Sequence, residues 1–158
     1  MAPGIAGAAR WNLFAEIEND HDVDQLARSL IPDTLDDYLA FARMMLAGGA
    51  FPGGRILSRP TVEAMTTNQL TAEQIRTAGL SPVAWPGRGW GLGVGVVLER
   101  LGPSLSPGSF GWDGAFGTQW WADPREDMTV LLMAQRGEGP GATFGSDVLA
   151  LAYGAIDD

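Results

Sequence analysis

The sequence predicts an α+β fold, with helices packed on an antiparallel sheet. Three observations carry that prediction. A stretch from Thr34 has helical periodicity, three later segments read as strands, and the chain closes on a second helical stripe. Helical and extended segments are therefore segregated along the chain rather than alternating, which argues against a parallel sheet. The length of 158 residues suits one domain. A chain of that size buries roughly 70% of its unfolded surface, enough for a real core.

Residues 1–33 form a poorly defined N-terminal segment. Trp11, Leu13, Phe14 and Ile17 fit a short helix or strand, and Glu16 to Asp24 is an acidic patch. The domain proper is expected over 34–158. In "TLDDYLAFARMMLAGG", Thr34 is placed to cap a helix. Leu35, Tyr38, Leu39, Ala42, Met45 and Leu46 recur at helical spacing, and Gly48-Gly49 ends the run. "FPGGRILS" reads as a turn and a short extended piece. Ser58-Arg59-Pro60 then starts a second helix, with Pro60 in its first turn. Thr71 caps a third helix that runs to about Ala78.

"GWGLGVGVVLER" alternates Gly89, Gly91, Gly93 and Gly95 with Trp90, Leu92, Val94 and Val96. A period of two predicts a strand, and glycine along one face predicts an element packed very close to it. The spacing does not meet the G-x-G-x-x-G of a dinucleotide site, and no helix follows. Phe116 to Ala122 reads as a second strand, Asp123 to Asp127 as a turn and Met128 to Gln135 as a third. The expected sheet therefore has about three strands. Residues 143–156 form a terminal helix with Phe144, Val148, Leu149, Ala152 and Ile156 as its buried stripe.

Composition excludes several kinds of chemistry. A formal net charge of −9 argues against nucleic acid and against anionic membrane surfaces. No apolar run approaches the ~20 residues of a bilayer span, and the first residues make a poor signal peptide, so the chain as given reads as cytoplasmic. There is no Cys, so thiol nucleophiles and disulfides are out; there is no Lys, so a lysine base is out. His21 is the one histidine. It sits in the acidic patch, an ordinary surface position. Asp20, Asp22 and Asp24 have the first spacings of a calcium loop, but Gln25 and Ile31 stand where Gly and Glu are needed, so no metal is expected. No other cofactor is implied.

Three further residue sets bear on chemistry. Ser109 in "PGSFG" lacks the first glycine of a nucleophile elbow and precedes a strand, so it reads as a loop serine. Asp123 belongs to an Asp-Pro turn, where an Asp side chain caps backbone N–H groups, so it is not paired with Asp113. Trp120 and Trp121 must face opposite sides of a strand, one toward the core and the other toward a groove or the helix layer.

The segments "TLDDYLAFARMMLAGGAFPGGRILSRPTVEAMTTNQL", "GWGLGVGVVL" and "FGWDGAFGTQWWADPREDMTVLLMAQ", followed by the closing helix, resemble the C-terminal part of the serine β-lactamase-related hydrolases. That group includes class C β-lactamases, family VIII esterases and penicillin-binding-protein-like peptidases. The resemblance runs from about Thr34 to the end and implies a partial β-lactamase/transpeptidase-like fold. It also implies a small ester, lactam or peptide substrate. In that family a Ser-x-x-Lys motif supplies the nucleophile and its base partner, a Tyr-x-Asn or Ser-x-Asn motif assists proton transfer, and a Lys-Thr-Gly or Trp-Gly-Gly motif lines the site from a strand. Only the third has a counterpart here, so the resemblance implies substrate-binding roles for Trp112, Asp113, Gly114 and Ala115 and no catalytic residue. Asp113 departs from the glycine of that motif, and a negative charge near a developing oxyanion opposes catalysis.

Three readings stand open. The chain is an inert fragment or degenerate member, half of a split hydrolase completed by another chain, or a binding module for peptides or cell-wall fragments. A short sheet with an open edge also implies self-association or a partner chain.

Overall fold

The helix predicted from Thr34 forms as α1, Leu35–Leu46, with Asp36 and Asp37 in its first turn and Arg43 in its last, both favourable to the helix dipole. It ends in the predicted glycine pair. Gly49 N–H donates to Met44 C=O at 2.8 Å and Gly48 N–H to Met45 C=O at 3.0 Å, with Gly48 at φ +62°. This is the paired-bond cap that requires a left-handed residue just past the helix. The computed structural model describes residues 35–77, 86–100, 102–114, 116–135 and 143–157. The readings at Trp11 to Ile17, at the Asp20–Asp22–Asp24 patch with His21, and at the Thr34 cap lie outside the described residues.

A two-residue hairpin, β1 Ala50–Phe51 and β2 Gly54–Arg55, follows α1. Helix α2, Arg59–Met65, starts where expected: Ser58 Oγ accepts the Thr61 N–H at 3.2 Å and Pro60 sits in the first turn. Helix α3, Ala72–Thr77, opens with a reciprocal cap. Gln74 N–H donates to Thr71 Oγ1 at 3.2 Å while Thr71 N–H donates to Gln74 Oε1 at 2.8 Å.

The sheet has five strands rather than three. They are β3 Arg88–Trp90, β4 Gly95–Val97, β5 Phe110–Asp113, β6 Gln119–Asp123 and β7 Met128–Leu132. All neighbours are antiparallel and adjacent in sequence, giving the order β3-β4-β5-β6-β7. Two differences produce the higher count. The alternating glycine run is not one strand but a hairpin: Gly91 N–H bonds Val94 C=O at 2.8 Å, and Gly93 takes φ +90° in the turn. Period-two patterning survives such a turn, so alternation alone cannot reveal it. The second addition is β5, whose four residues have too little alternation to register as a strand by themselves.

The expected close packing is present at Gly89 and Gly91, whereas Gly93, in the turn, faces open space. A Cβ on Gly91 would overlap the Met65 carbonyl oxygen, and one on Gly89 would overlap the Asn68 amide. The segment after α2 is stitched to β3 there. Trp90 N–H donates to Asn68 Oδ1 at 3.1 Å, Gln69 N–H to Trp90 C=O at 2.7 Å, and Leu92 N–H to Met65 C=O at 2.9 Å.

Helix α4, Phe144–Gly154, closes the chain. Of the predicted stripe, Leu149 is buried and Val148 and Ala152 are half-buried, whereas Phe144 and Ile156 at its two ends are exposed; Gly145 is a further buried position. The two faces of the sheet carry separate cores. Ala42 and Met45 of α1 and Val62 of α2 pack with Phe110, Trp120 and Ala122. Leu149 of α4 packs with Val97, Leu105 and Trp121, and Val130 and Tyr153 join them. Trp120 and Trp121 thus fall on opposite faces as predicted, and both are core, at 5% and 1% exposure. Rings of Tyr38, Phe41 and Phe110 meet Trp120 edge-on at 5.7, 5.2 and 5.9 Å between centroids.

Candidate functional site

Strand β5 and the turn after it bring together the described members of the predicted site. Trp112 pairs across the ladder with Trp120, and Asp113 with Gln119. Consecutive strand residues face opposite ways, so Trp112 and Asp113 serve different surfaces. Trp112 is 39% exposed and meets Trp90 of β3 edge-on at 4.5 Å between centroids. Two indoles at the rim of a sheet make a rigid, partly wet aromatic surface.

Asp113 is half-buried and its carboxylate is engaged on both oxygens. Arg88 donates to Oδ2 at 3.1 Å, and Trp121 Nε1–H donates to Oδ1 at 2.7 Å. The Arg88 guanidinium also lies over the Trp121 ring, 4.5 Å from its centroid. The negative charge at the motif's second position is therefore compensated by a cation held in place on an aromatic face. Sequence spacing could not reveal that pairing, because Arg88 and Asp113 lie 25 positions apart.

Gly114 opens the turn into β6. Its N–H donates to Thr118 C=O at 2.7 Å, and Gly117 N–H returns to Gly114 C=O at 3.1 Å. A Cβ at Gly114 would overlap the Thr118 hydroxyl. Ala115 lies outside the described residues. The grooves found along α1, one beside Phe51 and Pro52 and one beside Leu39 and Asp127, are not lined by Trp112, Asp113 or Gly114.

Ser109 is fully buried. A nucleophile must reach a substrate carbonyl, and this side chain has no surface to do so. Among the described residues Asp123 and Asp113 share no hydrogen-bond partner. Asp123 Oδ1 accepts the Arg125 N–H at 2.9 Å, the turn cap expected of Asp-Pro. Its other oxygen makes two bonds missed by sequence reasoning, to Ser106 N–H at 3.0 Å and to the Tyr153 hydroxyl at 2.5 Å. Burial by itself would raise this carboxyl. The hydrogen bonds from Tyr153, Ser106 and Arg125 outweigh it and hold Asp123 below the ordinary value. Burial first, and then the Asp123 carboxylate, push the Tyr153 phenol well above its ordinary range. Among the described residues no group of His, Asp or Glu is placed to hold a metal, and no helix is long and apolar enough to cross a membrane.

Comparison with known proteins locates this arrangement. The Beta-lactamase family profile matches residues 14–154. The chain belongs to the beta-lactamase family. The match starts ahead of Thr34, where the sequence resemblance begins. Among curated relatives, Protein Rv1367c of Mycobacterium tuberculosis (strain ATCC 25618 / H37Rv) is 44% identical over 107 residues, covering 65% of this chain and 27% of that protein. The structure is also similar to EstCE1, described as a hydrolase with promiscuous acyltransferase activity. The TM-score is 0.60 at 21% identity, over 75% of this chain and 29% of that one. It is similar as well to the LovD6 mutant of simvastatin synthase (LovD) from Aspergillus terreus, with a TM-score of 0.60 at 22% identity, over 75% of this chain and 32% of that one. The fold is thus the hydrolase-type, esterase-like fold of the serine beta-lactamases. The chain spans about a quarter of the length of the curated relative and under a third of each solved structure.

Proposed function

We propose that this chain supplies one wall of a β-lactamase-type acyl-transfer cleft and does not by itself turn over an ester, lactam or peptide. The observation that carries this reading is the absence of lysine from all 158 residues. Without it no Ser-x-x-Lys motif can form, and a nucleophilic serine loses the base that activates it. The burial of Ser109 supports the same reading. In it, the family resemblance gives Trp112, Asp113, Gly114 and Ala115 the substrate-binding role, and the exposed Trp112 indole beside Trp90 is the described surface that supports it. The similarity of fold to EstCE1, a hydrolase with promiscuous acyltransferase activity, favours acyl-group substrates over other classes.

The test is intact mass after incubation with a fluorophosphonate serine probe, beside turnover of nitrocefin and p-nitrophenyl esters. No adduct and no turnover are expected from folded protein. A stoichiometric adduct would overturn the reading.

A second reading is favoured by the share of relatives spanned and by the outer edge of β7, which pairs with no strand among the described residues. Here a separate polypeptide carrying the nucleophile completes the cleft. Turnover that appears only on mixing with such a chain would support it. A third is a non-catalytic binder of peptides or cell-wall fragments. Its signature is Trp fluorescence quenched by a D-Ala-D-Ala peptide and not in Trp112→Ala; a flat titration removes it.

A further inference from the structure

Asp123 is 1% exposed, and its one carboxylate ties three separate stretches of chain. One is its own turn, through the Arg125 N–H. One is α4, through the Tyr153 hydroxyl. The third is the corner between β4 and β5, through the Ser106 N–H. That corner is conformationally unusual. Leu105 is buried in the α4-side core and sits at φ +52°, a left-handed conformation that a leucine adopts only when its surroundings enforce it. Ser106, fully buried, also takes a hydrogen bond from Arg100 on its hydroxyl and the Ser109 N–H on its carbonyl at 2.9 Å. Ser109 C=O then accepts the Val97 N–H at 2.8 Å, directly before β5 begins.

We infer that Asp123 and Tyr153 form a clasp that couples the docking of α4 to the shape of the corner from which β5 starts. With α4 docked, its phenol completes the carboxylate's bonds and the carboxylate holds Ser106, which keeps Leu105 left-handed. With α4 lifted, the Leu149 and Tyr153 packing on Leu105 goes at the same time as the hydrogen bond, and the corner is left with the Ser106 bonds to Asp123, Arg100 and Ser109 and its packing on Val97 and Trp121. The strand carrying Trp112 and Asp113 is then launched from a relaxed corner. Anything that pries α4 from the sheet would thereby act on the Trp112 wall without touching it. This inference holds whether or not that wall binds an acyl substrate.

Hydrogen exchange of the full chain, followed by mass spectrometry across a urea series, tests it. Peptides covering α4 and peptides covering 102–113 are expected to open together, with one free energy and one urea slope, while β6 and β7 peptides stay protected. In Tyr153→Phe, which keeps the ring and removes the bond to a buried carboxylate, both sets are expected to exchange about tenfold faster or more. Faster exchange confined to α4, or α4 and 102–113 opening at different free energies in the natural chain, would overturn the clasp. So would equal loss across β6 and β7, which would mean global unfolding alone. If Tyr153→Phe does not fold, the urea series on the natural chain decides by itself.

Discussion

At the scale of single residues, the two halves of the Trp112-Asp113 pair answer to different demands. Trp112 is 39% exposed, so Trp112→Ala should cost less in urea unfolding than loss of a fully buried Trp, while stripping the aromatic surface beside Trp90. Trp121, at 1% exposure, fills the α4-side core, and Trp121→Ala should cost about 3–5 kcal/mol in urea unfolding. Asp113 is intermediate. Its ion pair with Arg88 is half-screened by solvent, so Asp113→Asn, which keeps an acceptor for the Trp121 indole, should cost no more than about 1 kcal/mol. Asp113→Ala orphans that indole N–H as well and should cost clearly more in the same measurement.

Elements carry the pH dependence. Asp123, bonded from α4, from the β4–β5 corner and from its own turn, is the better acid in the folded chain. Its contribution is therefore present above the unfolded value of about 3.9 and is lost as pH falls below that toward the folded value. Tyr153 has the opposite sign. Its phenol is raised in the fold, so its contribution is present below the unfolded value of about 10 and is lost as pH rises beyond it. Among the described residues Asp123 is the charged group in contact with the Tyr153 hydroxyl, and Arg100 reaches the same cluster through the Ser106 hydroxyl. Thermal unfolding from pH 2.5 to 11 should show a plateau that falls at both ends. Tyr153→Phe should flatten the alkaline fall, and Asp123→Asn the acid one. Unchanged limbs in both variants would show that these groups do not set the pH range. Among the described residues β7 is also an edge strand, and edges of this kind pair with other chains. If it drives self-association, Leu132→Lys should lower the apparent mass in sedimentation without changing the far-UV spectrum.

For the whole molecule, the decisive comparison is between what the chain holds and what the chemistry of its family needs. A β-lactamase-family sheet is present, with a helix layer on each face and an aromatic rim at β5. The lysine-dependent nucleophile is not encoded in these 158 residues. Inactivity toward the fluorophosphonate probe is therefore the outcome expected of the natural chain, and it should persist in Asp113→Gly, which restores the family's Trp-Gly-Gly. A gain of turnover from that single change would show that charge at position 113, and not a missing nucleophile, is what silences the chain.

The sequence by itself determined the class of fold, the helix starts at Ser58 and Thr71, the glycine end of α1, the β6–β7 hairpin and the turn role of Asp123. Each is written in local chemistry: a capping hydroxyl, a residue without a Cβ, a two-residue period, an Asp before a Pro. It also shows that these 158 residues hold no lysine and no cysteine, since a missing residue type needs no structure to be read. Tertiary structure alone decided that the glycine run folds back as a hairpin and that β5 is a strand, because strand identity there comes from its neighbours' hydrogen bonds rather than from its own pattern. It decided that Asp113 is compensated by Arg88, that Ser109 is sealed from substrate, and that Asp123 reaches Ser106 and Tyr153. These contacts join residues 17 to 30 positions apart for Asp123 and 25 apart for Asp113, and a long-range pair is fixed by packing and burial, which no local spacing records.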